Sequence, residues 1–320
     1  MRLAFFGSPA FALPVLDAVL EHFEVVLVAA QPSKPAGRGL KLTPPPIAAR
    51  AVALGLPLVQ PAKLRNNSEF EALLRDSGAA VAITCAYGKI LPAGLLSVPR
   101  YGFLNVHTSL LPKYRGAAPI QWALIEGETS TGVTIMQTDV GLDTGSILLQ
   151  DTLSIAPSET ALELAPRLSR MGARLLVEAL QNIETLPRVP QDDALHSVAR
   201  LLEKDDGRID WTQPTTRVYN RYRGVAGWPG SFCLHNNKIL KIHAMKPAHK
   251  GAMKPAHKGA TQPAPKSGIA GTILEVSGAV IVATLDGAIE LLEVQPEGKP
   301  RMTALDWARG YGVKQGSRLE

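Results

Sequence analysis

AAVAITCAYG (79–88) and GFLNVHTS (102–109) decide the fold. Each is a near-continuous apolar run of strand length, without the polar alternation of a half-exposed strand. Strands of that kind are covered on both faces, as in parallel sheets. RLAFFG (2–7) and VVLVAA (25–30) are of the same type, and PLVQP (57–61) is a shorter relative. ALPVLDAVLEHF (12–23), IAARAVALGL (47–56) and SEFEALLRDSG (68–78) have helical spacing, the last with a glycine stop. Apolar strands alternating with amphipathic helices imply an α/β domain with a Rossmann-like parallel sheet.

Further along, TGVTIMQTD (131–139) and SILLQDTLSI (146–155) are expected to pair as antiparallel edge strands. Residues 158–184 read as one long amphipathic helix or two short ones. QPSKPAGRGLKLTPPP (31–46), rich in Gly, Pro and cations, reads as a long exposed loop. Hydrophobic regularity falls over 186–207. This predicts a first domain over 1–188, a linker over 189–207 and a second domain over 208–320. In the second, DWTQPTTRVYNRYRG (210–224) suggests one helix, and five short strands follow with Gly and Asn turns. A small antiparallel β-barrel is the expected result. AMKPAHKG (244–251) repeats as 252–259, too short a unit for a solenoid. It reads as a slipped duplication in a disordered surface loop without chemistry.

The 320 residues are 46% hydrophobic and 19% charged, ordinary for a globular protein. No run of about 18 uninterrupted apolar residues suggests a membrane span. Gly7-Ser8-Pro9 cuts the first apolar run and Asp17 follows, so the N-terminus reads as strand–turn–helix rather than a secretion signal, and the expected location is cytoplasmic. Cys85 and Cys233 are far apart in apolar company, without disulfide or metal-ligand spacing, and read as packed, reduced thiols. Residues 210–320 hold 15 Lys and Arg against 8 Asp and Glu, a net +7, whereas residues 1–209 hold 19 against 20. That one-sided charge favours an anionic macromolecule as partner.

The polar residues at strand ends carry the chemistry. Alternation puts Asn105 and His107 on one face of their strand, and Pro112 helps to end it. Ligands of open parallel sheets collect beyond such C-terminal strand ends. An amide donor beside an imidazole suits a reaction in which a carbonyl oxygen gains charge. DVGLDTG (139–145) is the best source of a carboxylate, Asp143, to orient the ring. An Asx-type turn, with Asp143 capping its own backbone, fits that stretch as well. Chemistry is favoured because all three groups fall at strand ends of one sheet. Ser109 lacks a G-x-S-x-G elbow, GSPAFA has too few glycines for a dinucleotide fingerprint, and no phosphate-cradling G-x-x-x-x-G-K-[ST] occurs.

FFGSPAFALPVL (5–16), QPSKPAGRG (31–39), AYGKILP (86–92), NVHTSLLPKYRGAAPIQWAL (105–124), GVTIMQTDVGLDTG (132–145), RIDW (208–211) and GWP (227–229) together resemble the methionyl-tRNA formyltransferase family of folate-dependent formyltransferases. The resemblance runs nearly the whole chain. It implies a Rossmann-like formyltransferase domain followed by a small OB-like antiparallel β-barrel. It implies Asn105, His107 and Asp143 as catalytic residues, and Ser109, Leu110, Leu111 and Pro112 as the lining of a 10-formyltetrahydrofolate site. Arg38 above all, with Lys34 and Lys41, would reach the acceptor end of methionyl-initiator tRNA. No metal is implied, and a monomer is expected. Lys34 stands where the family commonly has arginine, and Thr108 where it has small residues such as glycine. A formyltransferase acting on a small amine, a hydrolase of the same folate, and a non-catalytic nucleic-acid binder remain the alternatives.

Overall fold

The computed structural model describes residues 1–36, 41–248 and 269–320, with the side chains of Ala36 and Lys41 also left aside. The chain divides into two compact units. The first comprises Met1–Ile120, Thr129–Ala156 and Glu163–Leu201; the second comprises Gln121–Glu128, Pro157–Leu162 and Leu202–Glu320.

The first unit starts with β1 (Arg2–Gly7), α1 (Leu13–His22) and β2 (Glu24–Ala29). Its chain continues through a hairpin of β3 (Lys34–Ala36) and β4 (Lys41–Thr43) to α2 (Pro46–Ala53) and β5 (Leu58–Val59). After α3 (Ser68–Asp76) come β6 (Val81–Cys85), the single-turn α4 (Ala93–Leu96) and β7 (Phe103–His107). Beyond α5 (Pro119–Glu126), most of which belongs to the second unit, lie β8 (Ser130–Gln137), β9 (Ile147–Ser154) and α6 (Ala161–Gln181). The sheet order is β5-β2-β1-β6-β7-β8-β9. The first five pair in parallel, and β8 and β9 are antiparallel. Chain direction across the sheet reverses at β1, so the ends of β1, β2 and β6 border a topological switch point.

Local chemistry accounts for these elements. Every residue of β6 is buried, as its apolar run requires. The Asn67 side chain caps α3 by accepting from Phe70 N at 3.0 Å; Glu69 and Glu71 fall in its first turn and Arg75 in its last. Phe6, packed edge-on against Phe70, Tyr87 and Phe103, joins the β1, β6 and β7 layers. Residues 158–184 yield one helix, α6, with Pro166 inside it.

Two expectations for this unit need correction. The 31–46 segment is not loop throughout, because Lys34–Ala36 pairs antiparallel with Lys41–Thr43. Nor is 189–207 a free linker. Val189 bridges Ile147, Arg115 N donates to Ser197 O at 2.8 Å, and Ala199 N donates to Arg115 O at 2.7 Å. Residues up to Leu201 thus belong to the first unit. Backbone pairing and polar side chains hold them, which leaves no hydrophobic period to read.

In the second unit α7 (Thr215–Gly224) precedes β10 (Ser231–His235) and β11 (Lys238–Pro247). The chain then forms β12 (Ile273–Glu275), β13 (Val280–Ala283), β14 (Ala288–Pro296), β15 (Met302–Thr303) and α8 (Ala304–Gly310). The order is β10-β11-β14-β13-β12, with β15 on β14, an antiparallel curled sheet forming a half-barrel. Trp211, Leu240, Ile242, Ile289, Leu291 and Trp307 centre its core. The first AMKPAHKG copy is partly strand rather than loop, since Ala244–Pro247 continue β11 against β14. The rest of the duplication, from residue 249, lies outside the described residues.

Candidate active site

Asn105 and His107 lie in β7 between β6 and β8. Asn105 stands in register with Thr84 on one side and Met136 on the other, and His107 with Thr134. The Thr84 hydroxyl donates to Asn105 Oδ1 at 3.0 Å. That bond fixes the amide rotamer and turns its Nδ2 donors toward the strand end. Nδ2 lies 3.3 Å from Asp143 Oδ1. The His107 ring is 5% exposed, with Nε2 2.9 Å from Tyr114 O. A carbonyl only accepts, so Nε2 carries the proton of that bond. The other nitrogen, Nδ1, faces Asp143 Oδ2 at 3.6 Å, beyond hydrogen-bond length.

Asp143 adopts φ 53°, the left-handed region that aspartate tolerates better than most residues. The Asx-type turn weighed as the alternative for DVGLDTG is present, but Asp139 rather than Asp143 makes it. Asp139 Oδ1 accepts from Gly141 N at 3.0 Å, and the Thr144 hydroxyl donates to the same carboxylate at 2.8 Å. Asp143 is thereby free to point into the site. Its Oδ2 accepts from Gly116 N at 2.9 Å. Gly145 closes the turn where a Cβ would collide with the Gln137 carbonyl. The three expected catalytic residues thus meet in one place, with the Asp143 side chain 17% exposed.

The expected folate residues form the next turn. Ser109 is fully buried and donates through Oγ to Lys113 O at 2.6 Å. Leu111 is buried too, its N–H donating to Thr134 Oγ1 at 3.2 Å and its carbonyl accepting from Gln150 Nε2 at 3.0 Å. Leu110 and Pro112 keep part of their surface. Ser109, through its side chain, and Leu111, through its backbone, are therefore fixed inside, while Leu110 and Pro112 keep surface outside.

Of the expected tRNA-facing cations, Lys34 is exposed in β3. Arg38 lies outside the described residues, and of Lys41 only the backbone is described. At the switch point a cavity of ≈ 330 Å³ is lined by Ser8, Pro9, Gln31, Lys34, Pro45 and Ala86 among others. Gln31 Nε2 donates to Tyr87 O at 2.8 Å, and Gln60 Nε2 donates to Gln31 O at 2.7 Å, so the hairpin is rooted at strand ends. The Lys89 ammonium is held below the usual lysine range, by desolvation first and then by the charge of Lys34.

Sequence reasoning missed Thr84, Tyr114, Gly116 and Gln191. Thr84 is the one hydroxyl inside the apolar strand Val81–Cys85, the only usable signal, and the structure sets it in register with Asn105. Gln191 sits in the stretch read as linker and gave none.

Comparison with known proteins assigns the class first. The formyl transferase family matches residues 1–180, and the formyl transferase C-terminal domain matches 201–312. The chain belongs to the formyl transferase family, on the methionyl-tRNA formyltransferase branch. A relative named methionyl-tRNA formyltransferase from Deinococcus radiodurans is 55% identical over 320 residues, covering 100% of this chain and 96% of the relative. One of the same name from Thermus thermophilus is 45% identical, covering 100% and 99%. Among solved structures, the N-formyltransferase from Helicobacter canadensis, in complex with folinic acid and dTDP-3-aminofucose, aligns with TM-score 0.65 at 18% identity, over 92% of this chain and 99% of that one. HypX from Aquifex aeolicus, in complex with tetrahydrofolic acid, aligns with TM-score 0.61 at 16% identity, over 98% of this chain and 47% of that one. The chain thus spans about half the length of HypX, and at these identities both structures speak for the fold alone.

Proposed function

We propose that this enzyme transfers the formyl group of 10-formyltetrahydrofolate to the α-amine of methionyl-initiator tRNA, with Asn105, His107 and Asp143 as its catalytic residues. The observation that carries the proposal is the convergence of an amide, an imidazole and a carboxylate at the end of β7. Full-length relatives carrying the methionyl-tRNA formyltransferase name support the substrate pair. The formyl donor is consumed at each turnover, so it is a substrate, and the partly exposed Leu110 and Pro112 offer it an apolar wall.

The neutral α-amine attacks the formyl carbon directly. A C–N bond forms, and the carbonyl π electrons move to oxygen. Asn105 Nδ2 donates to that oxyanion from an amide already fixed by Thr84. His107 turns Nδ1, the ring nitrogen that Tyr114 O does not engage, to the same place, and the carboxylate at 3.6 Å does not hold it in a hydrogen bond. When the intermediate collapses, the carbonyl re-forms and the bond from carbon to N10 breaks. Asp143 accepts the proton lost by the attacking amine and returns it, through water, to N10. Atoms and charge balance without a covalent enzyme intermediate.

The +7 of residues 210–320 supports a polyanionic acceptor, and the cations of the 31–46 segment support contact with the acceptor end. A cytoplasmic monomer fits this role. Presenting methionyl-tRNA and a small free amine separately, with 10-formyltetrahydrofolate, tests the acceptor. Transfer that requires the tRNA supports the proposal; equal transfer to the free amine makes this a small-amine formyltransferase.

A further inference from the structure

We infer that Gln191 is a positioning residue for the Asp143 carboxylate, and that Gln191–Ala199 forms a strap joining the two halves of the site. The inference rests on the reading of Asp143 as catalytic. Gln191 Nε2 donates to Asp143 O at 2.9 Å and to Gly145 O at 2.7 Å. Both amide hydrogens are thereby spent on the turn that carries the carboxylate. Its Oε1 accepts from Arg115 Nε at 3.0 Å. Arg115 is 6% exposed, and its Nη2 donates to Asp193 Oδ1 at 2.8 Å.

The same strap holds the other half. Tyr114 N donates to Ser197 Oγ at 2.9 Å, and Arg115 exchanges backbone bonds with Ser197 and Ala199. Tyr114 O receives His107 Nε2, and Gly116 N donates to Asp143 Oδ2. Gly116, at φ 121°, packs so tightly that a Cβ would stand 2.7 Å from Ala199 O. One segment therefore fixes both the carbonyl that orients the ring and the turn that aims the carboxylate.

The physical need is local. The Asp143 backbone adopts a conformation few non-glycine residues enter, and strain of that kind persists only where surroundings over-determine it. Two N–H donors on the turn carbonyls of Asp143 and Gly145 supply that determination. Without them Asp143 relaxes, and misplacement by about 1 Å costs up to about 10²-fold in rate.

Two substitutions test the inference. Gln191→Met keeps the side-chain length and removes every polar atom. Gln191→Glu keeps an acceptor for the buried Arg115 guanidinium and replaces the N–H donors by a carboxylate oxygen that the carbonyls of Asp143 and Gly145 repel. Each is expected to lower kcat for formyl transfer about 10- to 100-fold, with KM for both substrates within about threefold. In an Asp143→Asn background each is expected to cost less than about threefold more, because the group being positioned has already lost its charge. Three results would overturn the inference: kcat within about twofold of wild type for Gln191→Glu, the same fold loss in both backgrounds, or a rise in KM with kcat unchanged. Asp143→Asn alone separates the two readings. If it leaves kcat within about threefold, the catalytic assignment of Asp143 fails, and the strap falls with it for that stated reason.

Discussion

His107 Nδ1 lies 3.6 Å from Asp143 Oδ2, with Asn105 Nδ2 3.3 Å from the other oxygen of the same carboxylate. The ring and the amide come from one strand and the carboxylate from the turn after the next. Their meeting depends on the β7–β8 ladder and on the strap that holds the turn. The chemistry is therefore as good as the turn's placement.

Asn105→Ala removes the amide that Thr84 fixes and that we propose as the oxyanion donor. The expected loss is about 10²–10³-fold in single-turnover rate, with KM for the formyl donor within about threefold. Asn105→Asp sets a second carboxylate beside Asp143 and is expected to be at least as damaging. Rapid-quench measurements at saturating substrates check both.

Gly145→Ala tests the turn itself. A Cβ there meets the Gln137 carbonyl, so the backbone must move and carry Asp143 with it. A stability loss on the order of 2 kcal/mol in urea unfolding is expected, together with a kcat loss exceeding tenfold. Wild-type kcat in a folded variant would show that the turn tolerates displacement.

Much of this site was legible beforehand, and the missing part has a physical reason. Alternation along GFLNVHTS puts Asn105 and His107 on one face, and two glycines mark the Asp143 turn. The Asp139 cap was not separable from an Asp143 cap, because both aspartates occupy turn positions and only coordinates tell which one bends back. Gln191 and the Ser197 region were invisible because long-range polar and backbone bonds leave no period in the chain. The β3–β4 pairing was likewise hidden by its Pro- and Gly-rich composition. The sheet was read from buried apolar runs, the one signal that needs no knowledge of distant partners.

Arg38→Ala and Lys34→Ala probe the cations of the 31–46 segment. kcat/KM on methionyl-tRNA is expected to fall about tenfold for Arg38→Ala and less for Lys34→Ala, with folate affinity unchanged. Affinity for tRNA is also expected to fall steeply as salt rises, since phosphate contacts release counterions. Unchanged kcat/KM for Arg38→Ala would remove Arg38 from acceptor recognition.

Burial pushes the thiols of Cys85 and Cys233 up to about 12, and that of the Tyr87 hydroxyl likewise to about 12. Such groups stay neutral in the native state while their unfolded counterparts ionise nearer 9 and 10. The native state then binds more protons than the unfolded one, so stability declines above about pH 9 and continues to fall toward 12. Urea midpoints between pH 7 and 10.5 check the slope. At pH 8 neither thiol is expected to react with a thiol reagent until the protein unfolds. Rapid native labelling of either would contradict the burial.

The most direct measurement is single-turnover formyl transfer by Asp143→Asn at saturating 10-formyltetrahydrofolate and methionyl-tRNA. The substitution keeps shape and removes the charge that accepts the amine proton. A fall of about 10²-fold or more, with both substrates still bound, is the expected result. A rate within about threefold of wild type, a barrier change below about 1 kcal/mol, would contradict the account at its centre.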